Sequence, residues 1–357
     1  MLDVLLFGAT GYTGRLVAAS LARRGASFAV AGRDRAGLEQ VAERTGAAAV
    51  RVAAVGNVHG LVEALQDVRV LLTCVGPFSE LGDTAVEAAL SSGVGYVDAT
   101  GEAAFVARLV RERHETAKAA GIAMAPALGF DEGPADVAAT LATGGMADAQ
   151  LTITYALPSR ASPGTVGLSL HVLTAPGWWL RDGRRVPVAS GASTRWAPMP
   201  PPLGPRPSVS SYMAESELAP LHLDVADVST YLTTGTARRV ALKFGLPVLR
   251  RVVAARAARR AVEAVMLKAV DAPDRSQPGR WTILAEACAG SRRRNVVMTG
   301  DDVYGLTAEL LATGALELAR HADGRAGVLA PVQAVGPQRL QEELEAHGVT
   351  IETFDLH

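Results

Sequence analysis

The chain has 357 residues, 49% hydrophobic and 20% charged, which is enough apolar sequence for two folded domains and argues against a disordered protein. Its 35 basic and 36 acidic residues nearly cancel, which argues against a surface for nucleic acid or an anionic membrane. The two cysteines, Cys74 and Cys288, form no CxxC pair, so neither a disulfide framework nor a cysteine zinc site is expected. No basic, cleavable leader is evident and no apolar run approaches the ~20 residues that span a bilayer, which predicts a cytoplasmic protein.

A glycine-rich turn follows the first predicted strand, residues 3–7. Gly8, Gly11 and Gly14 have the spacing GxxGxxG and stand between that strand and a helical pattern. Such glycines permit the tight turn, the approach of the backbone to a pyrophosphate and the close packing of helix on sheet, while the helix amino terminus offers N–H groups to phosphates. A plain strand–turn–helix is the alternative interpretation. The residues predicted to bind the dinucleotide here are Gly8, Ala9, Thr10, Gly11, Tyr12, Thr13 and Gly14.

Strands and helices alternate strictly over the first part of the chain. The predicted strands cover residues 3–7, 28–31, 48–53, 68–74, 95–98 and 122–125. Helical patterns separate them, the last over 103–120. This alternation predicts an α/β fold with a Rossmann-type doubly wound parallel sheet.

The end of the second strand decides the cofactor. An NAD enzyme usually places a carboxylate there for the ribose 2′-hydroxyl, whereas an NADP enzyme places an arginine for the 2′-phosphate. The carboxylate position is Gly32 and Arg33 follows it, which favours NADPH. Asp34 is interpreted as a helix cap, with a ribose contact as the alternative. Asn57, after the third strand, is predicted to contact adenine or, alternatively, to cap the next helix.

Several motifs in chain order resemble those of the saccharopine dehydrogenase-like oxidoreductases, especially the branch of trans-acting enoyl reductases. They are the glycine-rich turn, Ala31-Gly32-Arg33, Val75-Gly76-Pro77-Phe78, Tyr96 to Glu102, Gly129-Phe130-Asp131, Ser162 to Thr165, Tyr304 to Ala308 and Gly327 to Pro331. The resemblance implies a Rossmann domain, a second α+β domain, NADPH as cofactor and reduction of a C=C or C=N bond.

The loops after the later strands supply the remaining candidate site residues. Gly76, Pro77 and Phe78 follow the fourth strand, at the carboxyl edge where ligands of such sheets bind, and are predicted to lie beside the nicotinamide. A simple strand-ending turn is the alternative. Candidate substrate contacts are Phe78, Glu102, Asp131 and, from the resemblance, Thr165. Glu102 and Asp131 are equally interpreted as residues that begin helices, where an acid is favoured.

No catalytic group is assigned. None of the six tyrosines is followed four residues later by lysine, so the Tyr-x-x-x-Lys pair of short-chain reductases is absent from the sequence. The seven histidines show no HExxH or HxxxH spacing, so no metal site is predicted.

We predict three parts: a dinucleotide-binding domain over 1–145, an α+β substrate or dimerisation domain over 146–300, and helices over 301–357 that pack back on the first domain. The second part has a predicted strand at 151–155 and a hairpin at 281–289 and 295–299. Trp178 and Trp179 are interpreted as an apolar wall of an interdomain cleft or as core, and the arginine-rich segment 249–270 as a solvated helix or a carrier-protein surface.

The predicted function is therefore an NADPH-dependent reductase of a specialised metabolite or acyl chain, with a small-molecule or carrier-bound substrate. Neither nucleic acid nor a membrane is an expected partner, and a homodimer is left open. The alternative is a non-catalytic NADP(H)-binding regulator or redox sensor on the same fold.

Overall fold

A computed structural model describes residues 1–158, 177–235, 279–320 and 324–356, together with positions 258, 261, 262, 264 and 265. Two compact units, each built from three segments of the chain, make up the structure. The first unit contains Met1–Gly101, Phe105–Gly133 and Tyr304–Glu343. The second contains Glu102–Ala104, Pro134–Val303 and Leu344–His357.

A parallel sheet forms the centre of the first unit. Its strands are β1 Leu2–Phe7, β2 Phe28–Gly32, β3 Ala49–Val52, β4 Val68–Thr73, β5 Gly95–Asp98, β6 Ala123–Ala125 and β15 Gly327–Val328. They lie in the order β15-β6-β5-β4-β1-β2-β3, and every neighbouring pair is parallel. The predicted doubly wound sheet is confirmed. Its strand order reverses between β1 and β4, which is where dinucleotides bind in this architecture.

The central strands of this sheet are largely apolar, because they are buried on both faces. Val4, Leu5 and Leu6 of β1 are fully buried, as are Leu71 and Leu72 of β4. Each such side chain contributes roughly 1.5–3 kcal/mol when it leaves water. The near-continuous hydrophobic runs that predicted parallel strands therefore reflect real two-sided burial.

Most of the helices in the part of the chain that the structure describes belong to the first unit, and some of them run on into the second. They are α1 Tyr12–Arg23, α2 Arg35–Thr45, α3 Val58–Ala64, α4 Phe78–Ser92, α5 Ala103–Glu112, α6 His114–Ala119, α9 Val303–Arg320, α10 Pro331–Val335 and α11 Pro337–Ala346. The helix predicted over 103–120 is present as two successive helices, α5 and α6, with Arg113 (φ −119°) between them.

A mixed sheet forms the second unit. Its strands are β7 Ala149–Ala156, β8 Gly177–Arg181, β9 Arg184–Val188, β10 Thr194–Ala197, β11 Arg206–Ser211, β12 Val225–Thr233, β13 Trp281–Ala289, β14 Arg292–Gly300 and β16 Thr350–Leu356. The main order is β10-β11-β12-β7-β13-β14-β16, with β8 beside β12 and β9 beside β8. Two further helices are α7 Glu132–Thr143 and α8 Glu215–Leu218. The predicted strand at 151–155, the hairpin and the α+β character are confirmed.

The last segment alternates between helix and strand. The helices predicted at 304–320 and 336–346 are present as α9 and α11 Pro337–Ala346. The final strand β16, which pairs antiparallel with β14, was not predicted. Most of β16 is exposed, so its sequence lacks the apolar alternation that identifies half-buried strands.

Buried ion pairs attach α9 to α1 at the amino-terminal side of the sheet. Glu309 accepts hydrogen bonds from Ser20 at 2.7 Å and from Arg24 at 2.8 Å, and Arg24 also pairs with Glu343 of α11. Although burial opposes ionisation, these bonds lower the pKa of Glu309 below its usual value. The pairing fixes the position of α9 along the first unit.

No helix among the described residues is both long and apolar enough to cross a membrane. The arginines Arg250, Arg251, Arg256, Arg259 and Arg260 of the segment predicted as a solvated helix lie outside the described residues.

Candidate functional site

The glycine-rich turn owes two of its glycines to the packing of its own chain. Gly8 has φ +88°, and a Cβ there would come within 2.7 Å of the Val75 side chain. A Cβ at Gly14 would overlap the Gly8 carbonyl oxygen and approach the Ala9 Cα to 2.9 Å. Glycine at these two positions lets β1 turn sharply and lets α1 pack directly on the turn.

Gly11 is different, because no steric conflict with the described residues requires a glycine there. A Cβ at Gly11 would meet only the Gly8 carbonyl oxygen, at an ordinary 3.4 Å, among the described residues. Gly11 is also the cap residue of α1 and provides no side-chain hydrogen bond to the first N–H groups of the helix. Open space and uncapped N–H groups coincide at this point, which is the arrangement that binds phosphates at helix termini.

Arg33 and Asp34 lie beside this turn and have separate environments. The Gly8 N–H donates to the Ala31 carbonyl at 2.9 Å, so the loops after β1 and β2 are adjacent. Asp34 caps α2 by accepting from the Gly37 N–H at 3.2 Å, as one interpretation predicted. Arg33 is exposed and has no hydrogen bond or ion pair with any described residue, so its guanidinium is available to an anion.

Asn57, in the loop between β3 and α3, has a structural role. Its side chain accepts a hydrogen bond from the Gly60 N–H at 3.0 Å and caps α3, which was the alternative interpretation of this residue. The adjacent Gly56 N–H donates to the Thr84 hydroxyl at 3.0 Å and holds the loop to α4. An adenine contact by Asn57 stays a prediction.

The loop after β4 leads directly into α4. The Cys74 N–H donates to the Phe7 carbonyl at 2.9 Å, which keeps this loop beside the glycine-rich turn. Pro77 is the cap residue of α4, so Gly76 and Pro77 end the strand and Phe78 begins the helix. Phe78 is only 6% exposed, and its ring packs 5.8 Å from that of Phe105 in the hydrophobic core. A nicotinamide contact by this loop stays a prediction.

A buried carboxylate that the sequence reasoning did not single out holds the next two loops together. Asp98, at the end of β5, is fully buried. Its side chain accepts from the Tyr96 hydroxyl at 2.6 Å and from the backbone N–H groups of Thr100 and Ala127 at 2.8 Å each. The Asp98 carbonyl also accepts from the Leu128 N–H at 3.0 Å. One carboxylate thus fixes the loops after β5 and β6, and holds Ala127 at φ +57°. The signal in the sequence that could have identified Asp98 was an acidic residue at the end of an otherwise apolar strand.

The groups around Asp98 are held in their protonated forms. Burial and the charge of Asp98 raise the pKa of the Cys74 thiol to about 12. The same two causes, with the hydrogen bond to Asp98, raise the pKa of Tyr96 well above its usual value. Neither group is therefore a thiolate or phenolate near neutral pH, and Cys74 is not a nucleophile here.

The loop after β6 carries an acid whose pKa lies near neutrality. Phe130 donates its N–H to the Thr307 hydroxyl of α9 at 3.1 Å. Asp131 follows, directly before α7, and burial raises its pKa to about 6. Asp131 therefore begins a helix, as one interpretation predicted, and can also hold a proton near neutral pH.

The other two candidate substrate contacts, Glu102 and Thr165, are not among the described residues of the first unit at this edge of the sheet. Glu102 is buried, precedes α5 directly and belongs to the second unit. Thr165 lies outside the described residues.

The second unit has its own buried polar cluster. Glu217 of α8 accepts hydrogen bonds from the Trp178 indole, the Arg185 guanidinium and, at 3.2 Å, the Tyr212 hydroxyl. The neighbouring Glu215 is also buried and accepts from Tyr155. Sequence reasoning missed this cluster, because the sequence around these glutamates resembles an ordinary exposed helix.

The two adjacent tryptophans have different surroundings. Trp179 is buried against Tyr231, with ring centres 5.0 Å apart, and donates to the Ser211 carbonyl at 3.0 Å. Trp178 is partly buried and packs 4.9 Å from Tyr212. Of the two interpretations, core packing therefore describes Trp179.

Three similarities to known proteins bear on this site. A saccharopine dehydrogenase-like oxidoreductase of Homo sapiens is 27% identical over 186 residues, which is 47% of this chain and 43% of that protein. A trans-acting enoyl reductase of Mycobacterium ulcerans is 33% identical over 178 residues, which is 46% of this chain and 43% of that protein. The chain thus spans less than half the length of these relatives. A solved structure of saccharopine dehydrogenase (L-Glu forming) from Saccharomyces cerevisiae has the same fold over 100% of both chains, with a TM-score of 0.64 and 13% identity.

The match to a domain family covers the glycine-rich turn, Arg33 and the ends of the first five strands. Residues 4–124 match the saccharopine dehydrogenase NADP binding domain. The uncapped start of α1 and the exposed Arg33 after β2 are features suited to binding NADP, the cofactor that the name of this domain family gives. Over residues 4–124 the chain is therefore similar to the saccharopine dehydrogenase NADP binding domain, and the cofactor that this match implies is NADP(H).

Proposed function

We propose that the protein is an NADPH-dependent reductase that transfers hydride to a C=C or C=N bond of a small-molecule or carrier-bound acyl substrate. The observation that carries this proposal is the open, uncapped start of α1 beside the unengaged Arg33. The relatives at 27–33% identity, named as an oxidoreductase and as an enoyl reductase, support the reaction class.

Different residues of the first unit bind different parts of the cofactor. The N–H groups of the first turn of α1, directly after Gly11, bind the pyrophosphate, while the Arg33 guanidinium binds the 2′-phosphate. NADPH bound in this way supplies the hydride. The loops after β4, β5 and β6 lie at the same carboxyl edge of the sheet, and the Asp98 hydrogen bonds keep two of them rigid. A rigid wall at that edge orients the acceptor, and orientation provides much of the rate.

Reduction of a C=C bond also needs a proton on the carbon adjacent to the hydride acceptor. With no Tyr-x-x-x-Lys pair in the sequence, we propose that the Asp131 carboxyl holds this proton. Burial raises its pKa to about 6, so a fraction of the molecules is protonated near neutral pH. Solvent then restores the proton after each turnover.

Turnover with defined acceptors tests the proposal. NADPH carrying deuterium at C4 is incubated with α,β-unsaturated thioesters of pantetheine and of a carrier protein, and in parallel with imines formed from amino acids and 2-oxo acids. Loss of NADPH absorbance together with deuterium in the product establishes the reductase and identifies the bond reduced. The Arg33→Ala variant is the matched control, since it lacks the 2′-phosphate contact and is expected to need more NADPH.

The opposite result would favour the regulator. If neither set of acceptors takes up deuterium while the protein binds NADPH and NADP+ with different affinities, it is a redox sensor on the same fold.

A further inference from the structure

The glycine-rich turn contacts a part of the chain that lies far beyond the matched domain. Tyr12, the first residue of α1, is 42% exposed. Its ring meets that of Tyr304 edge-on, with centres 5.1 Å apart and planes at 86°. Tyr304 is the second residue of α9, whereas the match to the NADP-binding domain ends at residue 124. No residue of α9 is therefore covered by that domain match.

The start of α9 also holds the loop after β6. Thr307, one turn after Tyr304, accepts the Phe130 N–H at 3.1 Å and approaches the position of a Gly129 Cβ to 3.7 Å. One turn of α9 thus contacts the first loop of the sheet, which binds phosphates, and the loop after β6. Further along α9, Glu309 accepts a hydrogen bond from Ser20 of α1. This bond fixes the position of the first turn of α9 along α1.

We propose that Tyr304 is a positioning residue for the dinucleotide, acting through Tyr12 on the first turn of α1. The Tyr12 ring would otherwise be free to move, because much of it is exposed. Tyr304 restricts that ring, and with it the backbone of the turn whose N–H groups bind the pyrophosphate. Restricting a binding loop in its bound conformation lowers the entropy lost when the ligand binds. This inference rests on the binding of NADP(H) at that turn, as proposed above.

The position of the contact predicts which part of the cofactor is affected. Tyr12 stands where the pyrophosphate approaches, whereas Arg33 stands at the 2′-phosphate of the adenosine half. Loss of the Tyr304 ring should therefore weaken NADPH binding while leaving adenosine 2′-phosphate, which lacks both phosphates of the pyrophosphate and the nicotinamide, almost unchanged. Edge-to-face aromatic pairs have strengths that correspond to about a threefold to tenfold change in affinity.

The experiment compares dissociation constants for NADPH and for adenosine 2′-phosphate by isothermal titration of the full chain. We expect Tyr304→Leu to weaken NADPH binding about threefold to tenfold and binding of adenosine 2′-phosphate by less than about twofold. Tyr304→Phe keeps the ring and should bind both ligands as the wild type does. Arg320→Ala, at the exposed far end of α9, is the matched control for changes in this helix. If Tyr304→Leu does not fold, Tyr12→Leu, at the exposed partner, is expected to give the same ratio.

Two results would overturn the inference. Either Tyr304→Leu or, in its place, Tyr12→Leu binds NADPH as tightly as the wild type, or both ligands weaken equally, as expected for a general loss of structure. Failure of the wild type to bind NADPH at all would instead refute the proposed function, so the two failures are distinguishable.

Discussion

Neighbouring side chains in this site have separate roles that composition alone does not reveal. Arg33 and Asp34 are adjacent and oppositely charged, yet Asp34 caps α2 and Arg33 has no partner among the described residues. Asp98 is a carboxylate like Asp131, yet three donors surround its side chain, whereas burial raises the pKa of Asp131 to about 6. The local supply of hydrogen-bond donors and water decides what each residue does.

Arg33 is expected to determine the preference for NADPH over NADH. Arg33→Ala removes a charge-assisted bond to the 2′-phosphate and should weaken NADPH binding by ~1.5–3 kcal/mol. NADH binding should change much less, since NADH has no phosphate there. Fluorescence titration of both cofactors measures this. A wild type that binds NADH as tightly as NADPH would contradict the assignment.

Asp131 should make stability depend on pH in the direction opposite to an ordinary paired carboxylate. Burial raises its pKa to about 6 in the folded chain, above the value of about 3.9 for an unfolded Asp. The folded state therefore binds the proton more tightly, and this contribution to the free energy of unfolding falls as pH rises through about 6. Asp131→Asn removes the effect.

The stability of Asp131→Asn relative to the wild type should thus increase between about pH 5 and about pH 7, by about 1.3 kcal/mol. Urea unfolding at the two pH values measures it. Asp224→Asn, which removes an exposed carboxylate, shows what loss of surface charge does alone. A relative stability that is constant with pH would mean that Asp131 titrates normally.

At the scale of elements, the site is built where strands end and helices begin. The loops after β1, β2 and β4 are tied to one another through backbone hydrogen bonds, and α4 begins at Phe78, directly after the short loop that follows β4. The start of α9 adds Tyr304 and Thr307 from a distant part of the sequence. Such an arrangement makes the loops rigid, because each is fixed at both its strand and its helix.

Phe78, at the start of α4, is expected to affect turnover more than cofactor binding. It follows the loop predicted to lie beside the nicotinamide, so its loss should disturb how the acceptor is placed. The ring is also core, so Phe78→Ala should lower the free energy of unfolding by about 3–5 kcal/mol. Phe78→Leu keeps most of the volume and separates the two effects.

We expect Phe78→Leu to reduce kcat while the dissociation constant of NADPH changes by less than about threefold, or about 0.6 kcal/mol. Steady-state kinetics and titration on the same preparation measure both. A cofactor-bound structure with the nicotinamide more than ~10 Å from Phe78 would remove the reason for this expectation.

At the scale of the whole molecule, neither unit is a continuous stretch of sequence. Three segments of chain form each unit, so the chain passes between the units five times. The predicted boundaries at 145 and 300 were drawn as continuous domains. In the structure, Glu102–Ala104 and the final segment with β16 belong to the second unit, while Tyr304–Glu343 belongs to the first.

This threading predicts that the two units unfold together. All four tryptophans, Trp178, Trp179, Trp196 and Trp281, lie in the second unit, so their fluorescence reports on that unit alone. NADPH binds the first unit, and at a hundred times its dissociation constant it should stabilise the folded chain by about 2.7 kcal/mol. We expect the urea midpoint by tryptophan fluorescence to move as far as the midpoint by circular dichroism. A fluorescence midpoint that ignores NADPH would show that the units unfold separately.

The sequence by itself determined the parallel sheet, the glycine-rich turn and the NADP-binding assignment. These depend on local signals: apolar runs on β1 and β4, glycines at fixed spacing, and Arg33 directly after a strand. Only the tertiary structure revealed the hydrogen bonds of Asp98, the contact of Tyr12 with Tyr304 and the membership of β16. Each of these joins residues distant in the chain or is defined by burial, and a local pattern does not encode which distant backbone N–H a carboxylate will accept from. Short or exposed strands such as β15 and β16 form because a neighbouring strand offers hydrogen bonds. Their own sequences therefore contain little signal that predicts a strand.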